Sequence, residues 1–142
     1  MGFLKNILGG KLPKSGIVFI VEDNPAYAKS LELFLKLRIP KIKEIRVFPA
    51  GEICLMSLES NPDVIIIDHF LNSKYHDAET GLEIIKQIRT LKPETNIIAH
   101  SSQTDINIVV ETIKKHQCNY VKKDEQAFKR IEEIIMDVYR LN

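Results

Sequence analysis

Hydrophobic and polar positions fall into two alternating rhythms along the chain. "GIVFIVED" is a short apolar run ending in acids, the pattern of a strand. "NPAYAKSLELFLKLRIP" follows, with Tyr27, Leu31, Phe34 and Leu35 at helical spacing on one face. Asn24 suits its N-cap, Pro25 its first turn, and Pro40 ends it. "KEIRVF" alternates Ile45 and Val47 with polar neighbours as a strand does, and "AGEICLMSLESN" is a short helix closed by Asn61-Pro62. "DVIIID" is the most apolar strand, the kind buried on both faces of a parallel sheet.

Thr80 to Leu91 reads as a helix, because Thr80 and Glu83 have capping-box spacing and Pro93 stops the run. "TNIIAHSS" is a fourth strand. "DINIVVETIKKH" reads as a helix, although its Ile and Val residues are stiff at χ1 and suit a strand equally. "NYVKKD" gives a short fifth strand. In "DEQAFKRIEEIIMDVYRLN" Asp124 caps a helix that carries Phe128, Ile131, Ile135 and Val138 on one face. Five β–α repeats with short connections predict an α/β fold: a parallel sheet with helices on both faces. The Gly, Lys, Pro and Ser residues from Gly9 to Gly16 read as a flexible lead-in, so residues 1–15 precede one domain over 16–142.

This pattern directs attention to the strand ends. In an open parallel sheet, sites form beyond the carboxyl ends of the strands, where strand order reverses. The first strand ends in Glu22 and Asp23, the third in Asp68, the fourth in Ser101 and Ser102, and the fifth near Lys122 and Lys123. Each has an ordinary reading alone: a loop acid, a helix cap, a turn serine, a solvated lysine pair. Together they place three carboxylates, a hydroxyl and an ammonium on one rim. Clustered carboxylates need a counter-charge, and Mg²⁺ supplies it through a few carboxylates and water. Such a rim suits a phosphoryl group, with cations on its oxygens and an aspartate as nucleophile.

Composition narrows the alternatives. A chain of 142 residues with net charge +1 has no global field drawing it to nucleic acid or an acidic membrane. No apolar run reaches the roughly 18 residues needed to cross a bilayer. The start lacks a signal-peptide h-region, and Asn6 breaks the myristoylation pattern after Gly2, so a cytoplasmic location is expected. Cys54 and Cys118 lack metal-type spacing and read as free, reduced thiols. "GGKLPKSG" is not a P-loop, and neither a basic face nor a motif supports direct DNA binding. His69, His76 and His100 lack the spacing of a zinc site, and His100, inside a strand, reads as a hydrogen-bonded core histidine.

"FIVEDNP", "VIIIDHF…GLEIIKQIR", "IIAHSSQTD" and "YVKKDE", at these intervals, resemble the receiver domain of two-component response regulators from about Ile17 onward. The resemblance implies a flavodoxin-like, doubly wound sheet of five parallel strands in the order 2-1-3-4-5. It implies Asp68 as phosphoacceptor, and Asp23, Glu22 and Asp68 as Mg²⁺ ligands together with the Phe70 backbone carbonyl. Ser101 takes the place of the hydroxyl that follows the phosphoryl group. Lys123, rather than Lys122, takes that of the lysine paired with it, and Tyr120 that of the switch aromatic. The implied partners are a histidine kinase or phosphotransfer protein and a downstream protein target. With no output domain in view, a stand-alone receiver or phosphorelay intermediate is expected. It is a signalling domain rather than an enzyme, open to phosphorylation-linked homodimerisation.

Several positions depart from the family pattern. Leu71 and Asn72 stand where Met-Pro is common, and the segment up to Gly81 is about five residues longer than usual. "KHQCN" replaces the Gly-Ala before the fifth strand, which leaves the register there open by one. Asp124 replaces the proline after the lysine, removing the expectation of a cis peptide bond. Phe70 and Gln103 stand where receivers tune dephosphorylation, and an apolar Phe70 predicts a slow-to-moderate rate. The long segment 69–80 is expected to overhang Asp68 in part, or to be mere surface. Two other functions remain: a pseudo-receiver that docks without phosphorylation, and a phosphatase of the haloacid-dehalogenase type. The latter wants a second aspartate where Phe70 stands.

Overall fold

The computed structural model describes residues 14–68, 81–102 and 106–140. Five strands, β1 (Ile17–Val21), β2 (Glu44–Phe48), β3 (Val64–Asp68), β4 (Asn96–Ser101) and β5 (Asn119–Lys122), form one parallel sheet in the order β2-β1-β3-β4-β5. The connecting helices are α1 (Pro25–Arg38), α2 (Gly51–Met56), α3 (Gly81–Leu91), α4 (Ile106–His116) and α5 (Ala127–Arg140). This is the expected doubly wound architecture.

The period-2 alternation of the strands sorts the core into two layers. Val18, Ile20, Val64, Ile66 and Val121 pack with Leu31 and Leu35 of α1 and Ile131 and Ile135 of α5. Their neighbours Phe19, Val21, Ile65, Ile67 and Ala99 pack with Cys54 of α2 and Ile84, Ile85 and Ile88 of α3. Burying each large aliphatic side chain stabilises the fold by roughly 1.5–3 kcal/mol, so a carboxylate at either end of β3 rests on a stiff platform. α4 lies against α3 and β5. Its segment is a helix, which settles the ambiguity left by its branched residues.

Local chemistry accounts for the boundaries. The Asn24 side chain accepts from the Tyr27 N–H at 3.1 Å, capping α1 with Pro25 in its first turn. The second helix is shorter than its pattern suggests. α2 stops at Met56, a 3₁₀ turn spans Leu58–Ser60, and Asn61 closes it in a left-handed conformation (φ 58°). Asp124 caps the turn before α5 rather than the helix itself, because its carboxylate accepts from the Gln126 N–H at 2.9 Å and α5 begins at Ala127. Val47 is exposed although Ile45 is buried, because β2 is the edge strand of the sheet. Gly51 is required by close approach: a Cβ there would lie 2.4 Å from Ile84 Cγ1.

The segment "KHQCN" resolves without glycine. Gln117 takes the left-handed conformation (φ 50°) that ends α4. Arg89 of α3 holds this end in place, donating to the carbonyls of His116, Gln117, Pro93 and Thr95. β5 then pairs Ala99 with Tyr120, His100 with Val121 and Ser101 with Lys122.

Cys54 and Cys118 are buried free thiols, pushed up to about 12 and about 11 by burial. Among the described residues no peptide bond is cis, and no helix is long and apolar enough to cross a membrane. The lead-in up to residue 13, the segment 69–80 with Thr80 and its capping box, and Gln103 lie outside the described residues.

Candidate functional site

The reversal of strand order lies between β1 and β3, and the acids of these strands meet there. Glu22 follows β1, and its N–H donates to the Phe48 carbonyl at 3.0 Å, extending the sheet by one residue. This turns the Glu22 side chain inward, where it is buried, while Asp23 is exposed. Asp68, the last residue of β3, is buried as well. Carboxylate oxygens of Glu22, Asp23 and Asp68 all lie within 4.8 Å of one another.

Lys123 crosses to this cluster from the end of β5. Its N–H donates to the Ser101 carbonyl at 2.8 Å, which fixes the chain direction beyond the sheet. Its ammonium donates to Glu22 Oε1 at 2.5 Å and to Asp68 Oδ2 at 3.1 Å. Of the adjacent lysines, Lys123 is therefore the one in the cluster, while Lys122 is exposed. Burial disfavours the charged lysine, but the Glu22 hydrogen bond and the nearby Asp68 and Glu22 charges outweigh it and hold the ammonium above its ordinary range.

Among the described residues three carboxylates face one ammonium in the cluster, and the Asp23 carboxyl is held above its ordinary range by partial desolvation, then by its hydrogen bond to Glu22 and the Glu22 charge. Hard oxygen donors carrying excess negative charge fit a divalent cation such as Mg²⁺, with water completing its shell. Phe70, expected to add a carbonyl ligand, lies outside the described residues, as do His69 and His76.

Ser101 ends β4 and is buried. Tyr120 of β5 is half-buried against the core layer of α2 and α3. Burial raises the Tyr120 phenol above its ordinary range, opposed by a side-chain hydrogen bond with Ser101. The hydroxyl and the aromatic ring expected to move together are thus in contact.

Sequence reasoning missed a second layer beneath Lys123. The Tyr27 ring lies under the ammonium, with Nζ 4.7 Å from the ring centroid. The Tyr27 hydroxyl is 2.5 Å from His100 Nε2, and His100 Nδ1 is 2.8 Å from the Val121 carbonyl. A carbonyl only accepts, so Nδ1 carries the proton and Nε2 accepts from Tyr27. His100, 2% exposed, is the hydrogen-bonded core histidine that its strand position suggested. Burial pushes its imidazole down to about 4, keeping it neutral. Tyr27 had a helix-face reading, and nothing in sequence spacing joins it to a residue on the fourth strand.

A sequence model of the response regulator receiver domain matches residues 18–136. No curated protein sequence matches the chain. The beryllofluoride-activated receiver domain of DrrB shares the fold at TM-score 0.72 and 21% identity, over 87% of this chain and 97% of that one. A CheY-like receiver domain protein from Methanospirillum hungatei JF-1 does so at TM-score 0.68 and 18% identity, over 88% and 94% of the two chains. The phosphorylated cyanobacterial phytochrome response regulator RcpA gives TM-score 0.68 at 20% identity, over 83% and 89%.

Proposed function

The chain belongs to the response regulator receiver family, and from that membership we propose that Asp68 accepts a phosphoryl group from a phosphohistidine. The donor is a histidine kinase or a phosphotransfer protein. The observation that carries the reading is the Lys123 ammonium, held between Glu22 and Asp68 at the point where strand order reverses.

Receiver domains bind Mg²⁺ at an acidic pocket, and Glu22, Asp23 and Asp68 form such a cluster here. These three side chains, with the Phe70 carbonyl, would hold the ion. When bound, it neutralises oxygens of the transferring group. The protein's own residues do the rest. An Asp68 oxygen attacks phosphorus while the P–N bond of the donor breaks, and that electron pair returns to the imidazole. The Lys123 ammonium stabilises the charge spread over the phosphoryl oxygens. The product is an acyl phosphate on Asp68. Water attacking phosphorus later releases inorganic phosphate and restores the carboxylate.

The new group adds charge and acceptor oxygens. The Ser101 hydroxyl leaves Tyr120 to donate to it, Tyr120 turns inward, and the face built from α4, β5 and α5 changes. That face carries exposed Val110 and Ile113 on α4, apolar groups suited to a protein target. We place this signalling in the cytoplasm, with residues 16–142 as the receiver unit.

Beryllofluoride with Mg²⁺, a mimic of the acyl phosphate, tests the reading. Amide NMR signals of Ser101, Tyr120 and Lys123 are expected to shift on its addition. An unchanged spectrum would favour a docking module that is never phosphorylated.

A further inference from the structure

Tyr27 and His100 belong to a closed circuit that returns to the site. The Glu22 carboxylate accepts from the Asn24 N–H at 3.1 Å, and the Asn24 side chain accepts from the Tyr27 N–H at 3.1 Å. The Tyr27 hydroxyl donates to His100, and His100 donates to the carbonyl of Val121 in β5. Beyond Val121 the chain reaches Lys123, whose ammonium returns to Glu22 and lies over the face of Tyr27. The ring also meets Phe128 of α5 in an edge-on contact, with centroids 5.5 Å apart. It is held by a hydroxyl bond at one end and by aromatic packing along its flank.

We infer that Tyr27, anchored by His100, is a positioning residue that holds the Lys123 ammonium in register with Glu22 and Asp68. A lysine side chain is a flexible stem with a mobile point charge, and ordering it against water costs conformational entropy. The aromatic face offers the ammonium a third contact besides the two carboxylates, and one that does not titrate with them. It limits the directions in which the ammonium can leave while Asp68 changes from carboxylate to acyl phosphate. Burial pushes the Tyr27 phenol up to about 12, so its hydroxyl stays a donor to the neutral His100. The ring is therefore anchored over the physiological range. This inference rests on the phosphoacceptor reading for its rate consequence, but not for the placement of Lys123.

The test compares Tyr27→Leu, which removes ring and hydroxyl, with Tyr27→Phe, which removes the hydroxyl alone. The first readout is the NMR shift of the Lys123 ε-methylene in the unphosphorylated protein, assigned by its disappearance in Lys123→Arg. Protons over an aromatic face are shielded, so an upfield shift is expected in the wild type, reduced in Tyr27→Phe and absent in Tyr27→Leu. The second readout is phosphorylation by acetyl phosphate at saturating Mg²⁺. Tyr27→Leu should be slower by about tenfold and Tyr27→Phe by about threefold, the scale of removing or loosening one cation–π interaction. If Tyr27→Leu does not fold, as judged by its amide spectrum, Tyr27→Phe carries both readouts. An ordinary Lys123 shift in the wild type, or wild-type rates in both variants, overturns the inference. A wild type that accepts no phosphoryl group refutes the phosphoacceptor reading instead, and the methylene shift then decides the placement of Lys123 by itself.

Discussion

β3 has a buried acid at each end, and the two sit in opposite surroundings. Asp63, just before the strand, is 8% exposed, and Asp68, at its end, is 7% exposed. Asp63 is surrounded by neutral donors: the Ser15 N–H and hydroxyl, the Gly16 N–H at 2.7 Å and the Tyr139 hydroxyl at 2.8 Å. It ties the entry to β1 and the last turn of α5 to the centre of the sheet. Gly16 must be glycine to make that bond, since it sits at φ +79° with the Lys43 side chain against its face. Asp68 instead shares one ammonium with Glu22 and has Asp23 beside it. Burial alone therefore does not mark a functional carboxylate. An acid ringed by neutral donors is a structural tie, whereas one that shares an ammonium with a second carboxylate, beside a third, suits a cation and chemistry.

The sharpest way to break this contrast is at Lys123. Lys123→Met should slow phosphorylation of Asp68 by about a hundredfold, the scale of removing one electrostatic donor, while Mg²⁺ binding measured by calorimetry is retained. An unaltered rate would mean that the ion pair with Asp68 is incidental. Next comes stability. Asp63→Ala strands several buried donors and should cost about 3 kcal/mol in urea unfolding. Asp68→Ala should cost under about 1 kcal/mol, because Glu22 still pairs Lys123 and one like charge is gone. Equal losses would erase the distinction between the two ends of the strand.

A smaller effect depends on pH. The His100 pKa falls from 6.5 unfolded to about 4 in the fold, so its neutral form stabilises the native state above 6.5. That contribution should disappear as pH falls from 6.5 towards 4, and His100→Leu should flatten the slope. The smallest change is Tyr139→Phe, which leaves Asp63 its other donors and should cost about 1 kcal/mol by the same unfolding measurement.

Much of this was legible in the residues. The apolar run "VIIID" reads directly as a strand buried on both faces, and the acids after β1 and β3 follow from where their strands stop. The choice of Lys123 over Lys122 came from family likeness, and the β4–β5 register together with the Ser101 bond now accounts for it. What could not be read were bonds between distant elements. Tyr27 and His100 are 73 positions apart, and Tyr139 and Asp63 are 76 apart. Periodicity puts Tyr27 on the apolar face of its helix and His100 inside a strand, but it names no partner for either. Arg89, with its four carbonyl partners, looks like any charged residue in the last turn of a helix. Helix ends depart from the sequence pattern where a side chain caps a turn instead of a helix, as Asp124 does.

The central claim is that Asp68, and not its equally buried counterpart Asp63, is the phosphoacceptor. Intact-protein mass spectrometry after incubation with acetyl phosphate and Mg²⁺ tests it most directly. One phosphoryl group is expected on the wild type and on Asp63→Asn, and none on Asp68→Asn. A phosphorylated Asp68→Asn, or a wild type that gains no mass, would contradict the account.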